Sequence, residues 1–219
     1  MTIPIINVTK LSLKLTDSNK AIQDKVNIAI AEHLNDIFSS QKSYINSAIS
    51  DLIGIWVRSQ PEMVSLAMSK DDSSLAGQFG LPSGTSSVIA QTIANAVQQS
   101  TKVTVNKVDH KLRGGITLEC QPSHFSNLLG MSEGHVTIVG GDLHWLRWLL
   151  ESGNKILVVN YHYTPASGFG RSRLGVMKKG GAWRVPPEFA GTIEDNFVTR
   201  AFKNKQDDLN ALFGRILKS

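Results

Sequence analysis

Trp183–Phe202 reads WRVPPEFAGTIEDNFVTRAF, a strand end marked by two prolines that runs directly into an amphipathic helical pattern. Pro186 and Pro187 remove two backbone donors from any sheet, and a proline pushes the residue before it towards extended backbone. The strand carrying Trp183 must therefore end here or lie at an edge. Thr192 offers a helix N-cap, with Glu194 and Asp195 in the first turn, where the helix dipole favours negative charge. Ile193, Phe197, Val198, Ala201 and Phe202 then recur at helical spacing, and Leu209, Leu212, Phe213, Ile216 and Leu217 extend the stripe. Nothing in this segment carries catalytic chemistry.

Working outward, the chain of 219 residues is long enough to bury a substantial core and suits one main domain with extensions. Its net charge of +5 comes from 23 basic and 18 acidic residues. These are dispersed rather than clustered, which argues against a dedicated nucleic-acid reader. Cys120 is the single cysteine, so no intramolecular disulfide forms. A buried or half-buried thiol in a reducing compartment, or in a particle assembled inside a cell, is the expected state. The opening MTIPIINVTK lacks the basic and apolar regions of a signal peptide, and no window approaches the ~20 apolar residues of a membrane span. The expectation is a soluble protein with no membrane partner.

The spacing predicts an α+β fold, with long N-terminal helices packed on a mainly antiparallel sheet and a C-terminal amphipathic helix. Residues 1–16 form an N-terminal strand or arm and 17–219 a single domain, divided into a helical part (17–100), a sheet part (101–190) and the C-terminal helix (191–217). A helical stripe runs from an Asp17 or Ser18 cap through Ile22, Val26, Ile30, Leu34 and Phe38. It resumes after Ser39–Ser43 with Ile45, Ile49, Ile53 and Trp56; one bent helix and two separate ones fit equally. Pro61 suits the first turn of a further short helix. KDDSSLAGQFGLPSGTSS, from Lys70, reads as a loop by its glycines and proline, and a helix follows from about Ser86 to Gln99. Strand patterns appear in KVTVNKV, ITLEC and HVTIV, joined by turns at the Gly114-Gly115 and Gly140-Gly141 doublets. Asp142 is expected to cap a short helix, LHWLRWLLES, closed by Gly153. KILVVNYHY reads as a buried strand and RLGVMKK as another, with Gly180-Gly181 turning into AWRVPP.

Few residues point to chemistry. The six histidines, at positions 33, 110, 124, 135, 144 and 162, show no ligand-spaced pair, so no metal site and no cofactor are predicted. His135 and His144 flank a turn with Asp142, which leaves room for a chance surface site. SGFGRSR, ending at Arg173, superficially resembles a phosphate loop, but a strand pattern rather than a helix follows. A hairpin tip presenting Arg171 and Arg173 to a partner or to DNA backbone fits better. Ser132 within GMSEG matches a nucleophile-elbow string, with His162 or His144 as the base, although the serine precedes a strand and no helix follows. Trp145 and Trp148 stand beside a run of leucines and are expected to pack against a sheet or a neighbouring subunit.

Taken together, LHWLRWLLESG, the two strands with their glycine-rich loop, and WRVPPEFAGTIEDNFVTRAF resemble the neck or tail-completion proteins of tailed bacteriophages, the head–tail connector group. Glu151-Ser152-Gly153 looks like one family feature, and Pro186, Pro187, Phe189, Asn196, Phe197 and Arg200 look like another. The SGTSS helix over 83–97 is similar to the segment that follows the family's N-terminal helix, and the resemblance spans roughly 17–217. The extended N-terminus and the length of the 164–182 insertion depart from the compact pattern. The resemblance implies a non-enzymatic virion protein, assembled in the host cytoplasm, that joins head to tail as a hexameric or dodecameric ring around the DNA channel. Its implied partners are a portal-side adaptor and a tail tube or tail terminator protein. Arg171, Arg173, Lys178 and Lys179 would contact DNA nonspecifically or touch a neighbouring subunit, Trp145, Trp148, Phe197 and Phe202 would pack subunits, and the arm over 1–15 would clasp the next copy. A tail terminator or other tail-joining ring is the alternative within this class, and a hydrolase using Ser132 is the alternative outside it.

Overall fold

The helical stripe that breaks near Ser39 is two helices, α1 (Asn19–Ser40) and α2 (Lys42–Arg58), with Gln41 alone between them in the chain. The computed structural model describes residues 16–120, 125–138, 141–153, 158–166 and 170–218; the expected arm over 1–15 lies outside them. The chain divides into two compact units, one formed by residues up to Ser40 with Val105–Gly115, the other by Gln41–Thr104 with Ile116–Ser219. In the first unit, the Asn35 amide of α1 clasps Val108 at both backbone atoms, donating to its carbonyl at 2.9 Å and accepting from its N–H at 2.8 Å. The turn beyond is organised by Asp109, whose carboxylate accepts from the N–H groups of Lys111 and Arg113. Leu112 there takes a left-handed backbone with φ of 56°. The reversal is therefore made by DHKLR, just ahead of the glycine doublet expected to make it.

The second unit has a helical core. Ile45, Ile49, Ile53 and Val57 of α2 are buried, as are Ala90, Ile93, Ala94 and Val97 of α5 (Ser86–Ser100), and these two helices pack together. Small residues on α5 let the helices approach closely, and Gly54 leaves room for the Gln98 amide, which donates to the Ser50 carbonyl. Pro61 opens α3 (Pro61–Ala67), as its fixed φ and missing donor favour. The stretch read as a loop after Lys70 is instead part of this core. It contains α4 (Leu75–Gln78), capped by Ser74, and buries Leu75, Ala76, Phe79 and Leu81. Its glycines and proline suggested a loop, but Gly80 and Gly84, at φ of 63° and 82°, supply sharp bends beside the buried residues.

The fold is α+β, and among the described residues the strands form three separate two-stranded ribbons rather than one continuous sheet. β1 (Lys102–Asn106) pairs with β2 (Gly115–Glu119), and β3 (Val136–Ile138) pairs antiparallel with β4 (Gly141–Leu143). β5 (Val158–Pro165) pairs antiparallel with β6 (Gly175–Trp183). Asp142, expected as a helix cap, belongs to β4, and α7 (Trp145–Leu150) starts after His144 with no side-chain cap. The described part of the strand expected to be buried, β5, is largely exposed. Gly180 and Gly181 do not end their strand either. They sit in a bulge opposite Asn160, all three at positive φ, and β6 continues to Trp183.

The C-terminal helix expected over 191–217 is two helices, α8 (Phe197–Ala201) and α9 (Gln206–Ile216). Asn196, not Thr192, caps α8. Its side chain accepts from the N–H groups of Val198 and Thr199 while Thr199 reciprocates to the Asn196 N–H. Thr192 caps the turn before it, accepting from the Asp195 N–H at 3.1 Å. The buried Asn196 amide also donates to the Leu150 carbonyl at the end of α7. Beside it, the Gly153 N–H donates to the Gly191 carbonyl at 2.7 Å, and any Cβ on Gly191 would collide with the Leu149 carbonyl. The Glu-Ser-Gly and Pro-Pro-to-Asn segments quoted above thus meet in space.

Trp145, Trp148 and Phe197 are spent within this core, not on a surface for subunit packing. Trp145 stacks on Phe79 at 5.0 Å, and Phe79 also meets Trp148 and Trp183 edge-on. Phe202, half-buried, meets Trp56 at 6.1 Å, and the Trp56 indole donates to Asp208 of α9. One charge lies deep: Glu62 of α3, only 1% exposed, is ion-paired with Arg200 of α8. Replacing Arg200 with Met should leave that carboxylate uncompensated and cost about 3 kcal/mol, the lower end of the range for breaking a buried pair. Glu62→Met combined with Arg200→Met should recover most of the loss, both measured by urea denaturation.

Candidate functional site

The β5–β6 ribbon, the β3–β4 hairpin and the turn after α4 enclose an apolar cavity of about 410 Å³. Val136 and Leu143 wall it on one side, Gly77–Gly80 on another, and Tyr163 and Met177 on the ribbon side. Tyr163 fixes this geometry. Its hydroxyl donates to the Asp72 carbonyl at 2.6 Å, and its ring fills the space that a Cβ on Gly77 or Gly175 would need. Burial, assisted by the carboxylates of Asp72 and Asp71, pushes the Tyr163 phenol up to about 12, so it remains a neutral donor. The glycines of the string once compared with a phosphate loop have a packing reason where they are described: a Cβ on Gly170 would collide with the Gly175 carbonyl. Gly168 lies outside the described residues.

The four basic residues singled out in the sequence have different fates. Arg171 is built into the cavity wall, donating through Nε to the Gly80 carbonyl at 2.7 Å and through Nη1 to the Thr137 carbonyl at 3.2 Å. Arg173 is exposed and takes a left-handed backbone at φ of 60°. Lys178 and Lys179 are exposed on β6, opposite His162 and Tyr161. On the same ribbon Val159, Tyr161 and Met177 are 68%, 44% and 36% exposed, an unusual amount of open apolar surface for one hairpin.

Ser132 does not sit on a strand-to-helix elbow. Residues Ser132–Gly134 form a single 3₁₀ turn that leads into β3, and the Ser132 hydroxyl donates to Glu133. The bases considered for it are engaged elsewhere, His162 with the Gly180 carbonyl and His144 with Asp142. Cys120 is half-buried, and burial pushes its thiol up, against a smaller opposing hydrogen bond from Thr101. That makes it a poor nucleophile.

A further cluster forms on the β3–β4 hairpin. The register pairs Val136 with Leu143 and Thr137 with Asp142, and side chains alternate across a ribbon. Val136 and Leu143 therefore turn to the cavity, while His135, Asp142 and His144 gather on the other face. His135 Nδ1 lies 2.7 Å and His144 Nε2 3.5 Å from the same Asp142 oxygen. The hydrogen bond between them raises the His135 imidazole and lowers the Asp142 carboxyl from their ordinary values. This is the one group of three potential metal ligands among the described residues. Linear spacing hid it, because 135 and 144 become neighbours only through the strand register.

No protein-family model, no curated protein and no solved structure matches the chain. The cavity yields its own test: an apolar fluorescent dye should bind the folded protein there and brighten. Met177→Trp, which narrows the cavity, should reduce that signal several-fold, whereas Val88→Trp on the exposed face of α5 should not change it.

Proposed function

We propose that the protein is a structural subunit of the virion neck of a tailed bacteriophage, joining head to tail as a ring around the DNA channel. The observation that carries this reading is the β5–β6 ribbon. Each of its strands has one strand partner among the described residues, and its middle exposes Val159, Tyr161 and Met177. A two-stranded ribbon is marginal alone in water, and neighbouring exposed apolar side chains of this kind mark a surface that another chain covers. A contact between this ribbon and a different surface of the next copy is heterologous, and such contacts close into rings when the rotation permits.

The charge distribution supports the same reading. Arg173, Lys178 and Lys179 stand exposed beside the apolar residues, and the chain carries a net charge of +5. Backbone contacts from such residues hold DNA without reading its sequence. Arg171, two of whose nitrogens are held by carbonyls, serves the cavity wall instead. No described helix is long and apolar enough to cross a membrane. A hexamer or dodecamer seated between a portal-side adaptor and the tail tube, in the neck or as a tail terminator, is the arrangement this reading favours.

Mass photometry of the purified protein, alone and mixed with DNA-filled capsids that lack tails, is the test. The expected result is a closed ring or binding at the capsid vertex. Val159→Asp with Tyr161→Asp should abolish both while leaving thermal unfolding nearly unchanged, since both residues are exposed. A monomer that ignores the capsids contradicts the proposal.

A further inference from the structure

We infer that His135, Asp142 and His144 bind a borderline divalent cation of the zinc type, on the face of the β3–β4 hairpin turned away from the cavity. The donor set is two imidazole nitrogens and one carboxylate oxygen, which suits zinc, cobalt(II) or nickel(II) better than the oxygen-seeking magnesium or calcium. The three ligand atoms lie within 4.8 Å of one another. With metal–ligand bonds of about 2.0–2.2 Å, two ligands of a tetrahedral ion stand roughly 3.4 Å apart. His144 Nε2 and Asp142 Oδ2, at 3.5 Å, already have that separation. The 2.7 Å contact between His135 and Asp142 needs to open by less than about 1 Å, a modest side-chain adjustment for tetrahedral ligation.

The surroundings hold the ligands as a metal site requires. His135 Nε2 lies 3.1 Å from the Leu129 carbonyl, which can only accept, so this nitrogen carries a hydrogen, and the hydrogen by which Nδ1 bonds to Asp142 is released when a metal takes its place. A backbone carbonyl fixing the outer nitrogen of a histidine is the usual way proteins orient such a ligand. The two imidazoles are close, with ring centroids 3.6 Å apart and planes tilted by 54°, and both address the same carboxylate oxygen. Buried Val136 and the antiparallel register fix the backbone beneath them. Three protein ligands leave a fourth position for water or an incoming donor, and exposed Asp142 and His144 leave an entry path.

Zinc chloride added to the purified full chain, followed by calorimetry, should show one ion bound per chain and a rise in unfolding temperature. Cobalt(II) should give the visible absorption of a tetrahedral site. Asp142→Asn and His144→Ala should each weaken zinc binding at least about tenfold and remove the cobalt signal, while metal-free unfolding and circular dichroism match the parent. His33→Ala, far away in sequence on exposed α1, should change neither. Absence of binding, or binding equal in the parent and the Asp142 and His144 variants, overturns the inference.

Discussion

Phe79 is the side chain on which three distant parts of the second unit converge. Trp145 stacks on its face, while Trp148 and Trp183 approach edge-on at 5.9 and 6.0 Å. Each such pair contributes about 0.5–1.5 kcal/mol beyond the area it buries. The geometric effect matters more. Phe79 follows α4, Trp145 and Trp148 belong to α7, and Trp183 ends β6, so one ring fixes the turn, the helix and the root of the ribbon. Phe79 and Trp183 also line the cavity, so this packing helps to place its walls. Beside it, the buried Asn196 amide ties the end of α7 to the start of α8. Glu62 and Arg200 tie α8 to α3.

Much of this was legible in the chain, for identifiable reasons. Ile45, Ile49 and Ile53 on α2, and Ile93 and Val97 on α5, recur at helical spacing, and all are buried. The prolines at 186 and 187 follow the last strand, as their missing donors require. The segment after Lys70 misled because composition outweighed its four apolar residues, whose burial depends on an aromatic cluster assembled from elsewhere. Thr192 and Asn196 are both good caps, and the choice between them was made by the Leu150 carbonyl, a partner 46 residues away that local pattern does not reveal. The strand β5 was read as buried because Val158, Val159 and Tyr161 are apolar, yet most of its middle is exposed. Where a chain leaves such a strand open, apolar composition signals a partner more than a core.

The candidate sites follow the same logic. Arg171, Arg173, Lys178 and Lys179 were identifiable as residues of a hairpin, but only the fold shows that Arg171, although exposed, is held by two carbonyls. The His135, Asp142 and His144 cluster was visible only as a turn flanked by histidines, since its convergence needs the pairing of Val136 with Leu143. The β3–β4 hairpin then has two working faces. One closes an apolar cavity beside the open ribbon, and the other gathers donors for a cation, so an ion bound there would stiffen a wall of that cavity.

The β5–β6 ribbon is proposed above as the surface through which copies of this chain assemble. Amide hydrogen exchange followed by mass spectrometry, comparing free protein with capsid-bound protein, tests it most directly. The outward-facing amides of residues 158–164 and of Gly175–Trp183 should exchange readily in the free chain and become protected on assembly, while α2 and α5 are equally protected in both. Protection appearing elsewhere with the ribbon unchanged would contradict it.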